Sequence, residues 1–333
     1  MPANLPPQYI KLEEECRREK DPRRRLDLLQ QMFAEIPKHK GTSHLQGELK
    51  SKISKTKQQL RSAKKSGGTR QVALDYVPRE GAGQFVLFGA PNAGKSSIVG
   101  ALTHAHVTVE EWPFATRKPV PGMAKWENVQ LQLVDTPSIA PEYCETYVFN
   151  IIRTCDMAVL VLSLGNDDIL EDYDYVVNRV HEGKVRLEGL VEPDPNLPTA
   201  MPKQTIIVAT GHDRPDAAMR LSLLTDTVGG RVAVFPVSIP EKAGLDPFLK
   251  CCFTSLELLR VYSKAPGQAA DYDDPILVPH GGRVADAATV IHKDFAQNLH
   301  HARLWSATNP ASQGQRVPAD HRLEEGDVLE FHI

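Results

Sequence analysis

The stretch Gly89-Ala90-Pro91-Asn92-Ala93-Gly94-Lys95-Ser96 decides how this chain folds. Before it stands Phe85-Val86-Leu87-Phe88, an apolar run of strand length, and after it residues 96–103 read as a helix. Strand, glycine-bracketed turn and helix, in that order, give the G-x-x-x-x-G-K-[ST] pattern its meaning. The glycines let the backbone wrap a phosphate chain with its N–H groups pointing inward, and the helix N-terminus adds its dipole. Gly89, Pro91, Asn92, Ala93, Gly94, Lys95, Ser96 and Ser97 are therefore the expected lining. Lys95 is placed to bridge the β- and γ-phosphates, and Ser96 to give its hydroxyl oxygen to Mg²⁺.

Downstream, Val134-Asp135-Thr136-Pro137 closes an apolar strand with an acid. A carboxylate about 40 residues after the loop lysine sits where such folds hold Mg²⁺. Further continuous apolar runs cover 129–134, 157–162, 205–209 and 232–237, as expected of strands buried on both faces of a mostly parallel sheet. Helical segments fall at 142–153, 170–181 and 215–228, and a long last one at 245–262. The expectation for 80–264 is thus a doubly wound α/β domain. Residues 191–202 hold four prolines and read as a surface loop, and 263–274 as a polar linker.

The segment 272–333 reads as a separate small unit. A strand at 275–279 and a turn at Gly281-Gly282 come first. Asp286 then caps a helix whose core face is Ala288, Ile291, Phe295 and Leu299, and short strands end in the alternating Asp327-Val328-Leu329-Glu330-Phe331. At the other end, 1–70 reads as a helical hairpin. Asp21-Pro22 opens one amphipathic helix with Leu26, Leu29 and Phe33 on a face, and Leu45, Leu49, Ile53 and Leu60 mark the second.

Composition bounds the function. The 333 residues are 41% hydrophobic and 24% charged, which excludes fibrous and wholly disordered classes. No apolar stretch approaches the roughly 18 residues of a membrane helix, so the expectation is a cytoplasmic protein with no membrane partner. The five cysteines contain no Cys-x-x-Cys pair, and the histidines, including His300-His301, lack zinc-ligand spacing. The net charge of −3 hides a polarity: 1–70 holds 17 Lys and Arg against 8 Asp and Glu, while the rest holds 22 basic and 34 acidic residues. The basic segment points to an anionic partner, for which RNA is the obvious class.

With these residues in hand, the chain resembles the DRG subfamily of the Obg superfamily, translation-factor-related P-loop GTPases. Trp112-Pro113-Phe114-Ala115-Thr116 with Pro121-Gly122 resembles the first switch, and Asp135-Thr136-Pro137-Ser138 the second. His292-Lys293-Asp294-Phe295, Ala302-Arg303-Leu304-Trp305, Gln315-Arg316-Val317 and Leu323-Glu324-Glu325-Gly326-Asp327-Val328 resemble a TGS domain, a small β-grasp sheet. The resemblance implies GTP and GDP as ligands, with Mg²⁺ held by Ser96, Thr116 and Asp135. It makes Lys95 and Thr116 the residues acting at the reacting phosphate. It also implies partners at the ribosome, an RNA or a regulatory protein, met through the hairpin and the TGS unit. Asn92 is where some relatives recruit K⁺.

Three departures stand out. The base-recognition motif Asn-Lys-x-Asp is here Thr210-Gly211-His212-Asp213, so only the carboxylate that meets the guanine edge survives. Val237-Ser238-Ile239 resembles the second base loop, which makes Ser238 and Ile239 expected contacts. Ser138 stands where the second switch has glycine; Ile139-Ala140, where other GTPases place a water-orienting glutamine, are hydrophobic as is usual in the Obg group. Finally, 164–203 is too short for the subdomain that DRG proteins insert there. Weakened affinity or relaxed base choice follows, and with it two competing readings: a slow GTPase, or a non-hydrolysing RNA- or ribosome-binding adaptor. An ATPase is a third.

Overall fold

The computed structural model describes residues 28–29, 32, 76–103, 118–141, 143–306, 308–309 and 312–332, the side chain of Lys293 excepted. The chain divides into two units, Met1–Ala73 and Leu74–Ile333. Of the first, Leu28, Leu29 and Met32 are described, all helical and buried. The expected hairpin otherwise lies outside the described residues, as do the first-switch stretch 112–116 and Thr116.

The second unit is built on β1 (Gln84–Phe88), α1 (Lys95–Leu102), β2 (Val120–Trp126), β3 (Val129–Asp135), α2 (Thr146–Thr154), β4 (Met157–Ser163) and α3 (Ile169–Glu182). There follow β5 (Val185–Leu187), β6 (Met201–Lys203), β7 (Thr205–Thr210), α4 (Ala217–Val228), β8 (Val234–Val237) and α5 (Leu245–Ser255). Six strands form one sheet in the order β2-β3-β1-β4-β7-β8, parallel except for β2 at its edge. All five β1 residues are buried, and the two faces separate by alternation. Phe85 and Leu87 pack with residues of α1 and α5, while Val86 and Phe88 pack with residues of α2, α3 and α4. That is double winding, and it follows from continuous apolar strands needing cover on both sides.

The second sheet belongs to the C-terminal unit, with β9 (Leu258–Ser263), β10 (Asp271–Pro279), α6 (Val284–Ile291), α7 (Lys293–Gln297), β11 (His301–Trp305), β12 (Gln313–Val317) and β13 (Val328–His332). Its order is β10-β9-β13-β11-β12, with β9 and β13 parallel and the other pairs antiparallel, a β-grasp-like arrangement over a core of Val261, Ile276, Val278, Val284 and Leu329 among others.

Several expectations are corrected here. The long helix at 245–262 ends at Ser255. Glu257 turns to φ 50°, and the next residues run as β9, whose Leu259 and Val261 point inward while Leu258, Arg260 and Tyr262 are half-buried. The expected linker at 263–274 is therefore the turn between β9 and β10 together with the start of β10, so the second sheet begins upstream of 272. The single C-terminal helix is two, broken at His292, and Ile291 is exposed rather than in the core. Asp286 accepts the Arg283 N–H at 2.8 Å from the third helical position instead of capping from before the first. The edge strand β2 and the short parallel pair β5–β6 were not expected from the sequence.

The two sheets meet inside this unit. Arg260 on β9 reaches Glu127 in the β2–β3 turn and pairs its Nε with Glu325 at 2.6 Å. Asn128 Nδ2 donates to the Tyr262 hydroxyl and the Tyr272 carbonyl, both at 2.9 Å.

Candidate nucleotide site

The loop between β1 and α1 is shaped by two glycines. At Gly89 (φ 154°) a Cβ would sit 2.2 Å from the Val161 carbonyl oxygen, so the loop leaves the sheet too close to β4 for any side chain. Gly94, at φ 95°, is the N-cap of α1. The expected lining residues follow the same turn: Pro91, Gly94, Ser96 and Ser97 half-buried, Asn92 exposed at φ 59°, Ala93 and Lys95 buried.

Lys95 is 5% exposed. Its ammonium donates to the carbonyls of Gly89 (3.1 Å) and Ala90 (2.8 Å) and to the Ser138 hydroxyl (3.1 Å). Burial drives its pKa down to about 8, against the opposing pull of the Asp135 and Asp172 carboxylates. A cation that gives up this much hydration and rests on carbonyls is poised for an anionic ligand. Beside it, Ser96 Oγ donates to Asp135 Oδ2 at 2.6 Å. A hydroxyl and a fully buried carboxylate converging at that distance form a hard-oxygen pair of the kind Mg²⁺ takes. The acid itself is held in place by its neighbour, since Thr136 Oγ1 donates to the Leu87 carbonyl at 2.8 Å. Ile139, next to Ser138, is fully buried with its N–H on the Gly89 carbonyl at 3.0 Å.

Asp213, Ser238 and Ile239 lie at the C-terminal ends of β7 and β8, the edge where open parallel sheets bind ligands. Asp213 is exposed, and the Ser238 hydroxyl is the main cause holding its carboxyl below the usual range, so it is ionised at neutral pH. The Ser238 N–H is taken by the Ala243 carbonyl at 3.1 Å.

Three site residues escaped the sequence reading. Thr210, seen there as a lost asparagine, keeps a strut: its hydroxyl donates to the Ala93 carbonyl at 2.7 Å and ties β7 to the phosphate loop. The side chain of Ser138, a position expected only as a replaced glycine, reaches Lys95. Arg214 lies against Gly211 and Gly165. A hydroxyl in place of the asparagine was the one available signal, for Thr210.

A model of the 50S ribosome-binding GTPase family matches residues 84–189, and one of the TGS domain matches residues 259–333. An uncharacterized GTP-binding protein of Methanocaldococcus jannaschii is 26% identical, over 99% of this chain and 95% of its own. Developmentally-regulated GTP-binding protein 2 of Mus musculus is 24% identical, over 91% of this chain and 97% of its own. The structure of the Schizosaccharomyces pombe YchF GTPase is similar in fold at a TM-score of 0.52 and 13% identity, covering 77% of this chain and 99% of that one.

Proposed function

We propose that the chain is a DRG-like P-loop GTPase of the Obg superfamily with a TGS domain, that it binds GTP and GDP with Mg²⁺, hydrolyses GTP slowly, and acts in the cytoplasm on the ribosome or another RNA. The observation that carries the reading is the cluster of buried Lys95 and Asp135 with half-buried Ser96 under a glycine-bracketed loop.

In this reading the loop amides at 89–96 bind the phosphate chain, and Lys95 leaves its carbonyl partners for the β- and γ-phosphates. Ser96 and Asp135, with Thr116 from the first switch, hold Mg²⁺, which supplies charge neutralisation at the transferring phosphoryl group. Asp213, oriented by Ser238, accepts the guanine N1–H and exocyclic amine, and Ile239 offers its amide to the base carbonyl. Slow turnover is supported by Ile139, whose apolar side chain is folded into the core where other GTPases present a glutamine to the attacking water. Asn92 is the residue to which K⁺ stimulation is assigned, and equal rates in KCl and NaCl would remove it. Among the described residues no helix is long and apolar enough to cross a membrane.

The basic segment 1–70 and the TGS domain are assigned to partner contacts with ribosome, RNA or a regulatory protein. Ribosome co-sedimentation that weakens steeply with salt is the expected signature of that basic segment.

The altered base motif at 210–213, with the Ser138 hydroxyl engaging Lys95, favours a second reading, an RNA- or ribosome-binding adaptor whose G domain senses nucleotide without hydrolysing it. Single-turnover hydrolysis of GTP by the purified chain, with Lys95→Ala as control, separates the two. Turnover lost in the variant supports the GTPase, and no turnover in either supports the adaptor.

A further inference from the structure

The turn after β7 is built around an absent side chain. Gly211 stands at φ 75°, and the Arg214 N–H closes the turn on the Gly211 carbonyl at 3.0 Å. That turn folds the Arg214 arm back over the glycine. A Cβ at 211 would lie 3.2 Å from Arg214 Cδ, 3.4 Å from Nε and 3.5 Å from Cγ. The far end of the arm crosses to Gly165, just past the end of β4, where a Cβ would lie 2.5 Å from Nη1, 2.7 Å from Cδ and 3.1 Å from Cζ. Two glycines on neighbouring strand ends thus leave a cradle that the arginine occupies, and a side chain at either would crowd it. Arg214 nevertheless stays exposed. Its positive charge also reaches the Asp213 carboxylate, one of the lesser causes of that group's low pKa.

We infer that Arg214 forms the wall of the nucleobase pocket, its guanidinium and distal methylene covering one face of the purine ring whose edge Asp213 reads. This rests on the guanine-nucleotide reading above and adds to it the group that holds the base in place. Gly211 and Asp213 belong to one turn, so a base whose edge meets Asp213 comes up beside Gly211, and the group lying on Gly211 is the Arg214 arm. A guanidinium is planar, delocalised and weakly hydrated, and it lies flat along an aromatic face, which a compact ammonium cannot cover. Held against two glycine backbones, it loses little further freedom when a ring lands on it.

The division of labour sets the test. Edge contacts tell guanine from hypoxanthine, which lacks the exocyclic amine, whereas face contacts treat the two alike. Equilibrium titration with GDP and with IDP is the measurement, on the full chain and on Arg214→Ala, with Arg214→Lys beside them. Arg214→Ala is expected to keep its melting temperature and to lose about tenfold in affinity for both nucleotides, leaving their ratio unchanged. Arg214→Lys, which keeps charge without a plane, is expected to fall with the alanine variant. Unchanged affinity in Arg214→Ala, a loss confined to GDP, or full recovery in Arg214→Lys would overturn the inference. Wild-type protein that binds neither nucleotide would instead overturn the guanine-nucleotide reading itself.

Discussion

The Thr210 hydroxyl donates to the Ala93 carbonyl at 2.7 Å and also reaches the Leu162 carbonyl at 3.3 Å, so one small side chain joins the strand leading to the base loop, the phosphate loop and β4. The fit is close, because a Cβ at Gly94 would stand 3.0 Å from both the Thr210 methyl and its hydroxyl. Thr210→Val keeps the shape and removes the donor, leaving the Ala93 carbonyl without this bond. A loss of about 1–3 kcal/mol in urea unfolding is expected, with weaker nucleotide binding alongside. Unchanged stability would show that the strut does not matter.

Ser138 is the second contact to test. Its hydroxyl accepts from Lys95 at 3.1 Å, a contact that competes with a phosphate for the ammonium. One hydrogen bond to a charged group is worth about 1.5 kcal/mol, so Ser138→Ala is expected to tighten GDP binding about tenfold. Weaker binding in the variant would mean that the hydroxyl serves the nucleotide instead.

Lys95 gives a pH dependence of definite sign. Burial lowers its pKa to about 8, and a polyphosphate at van der Waals distance is expected to return it toward the ordinary 10.5. The complex then binds more protons than the free protein above pH 8, and affinity must fall as pH rises through that point. The limit is about one decade per pH unit for a single linked proton. GDP titrations at pH 7, 8 and 9 in EDTA, where no divalent ion contributes, measure the slope. The same slope in Lys95→Arg, which does not titrate, would assign it to another group.

Arg260 fastens the β2–β3 turn to the second sheet through Glu127 and Glu325, with Phe253 beneath its guanidinium at 5.3 Å. Its side chain is 20% exposed, so solvent screening weakens but does not cancel the pairs. Arg260→Ala is expected to cost about 1–2 kcal/mol and to split the calorimetric transition as the two sheets uncouple. A single transition at unchanged temperature would contradict that role.

The phosphate loop and the strands around it were legible because their physics is local: glycines where the backbone must turn, and continuous apolar runs where both faces are covered. β9 was not. Leu258, Leu259 and Tyr262 prolong the helical spacing of α5, and the break at Glu257 carries neither glycine nor proline. β2 was hidden by Pro121-Gly122, which argue against a strand except at a sheet edge, where β2 lies. In the site, the sequence announced what position 211 lacks but not that Arg214 folds back to fill it, since that depends on a left-handed turn and on Gly165 from another strand. The Lys95–Ser138 contact likewise joins residues 43 apart.

The claim on which the account stands is that the loop from Gly89 to Ser96, with Lys95 and Asp135, holds the phosphates of a guanine nucleotide and its cation. Isothermal titration of a non-hydrolysable GTP analogue with Mg²⁺ into the full chain and into Lys95→Ala tests it most directly. Saturable one-site binding that GDP displaces and the variant lacks is expected. Absence of binding to the wild-type chain, or equal binding by the variant, would contradict it.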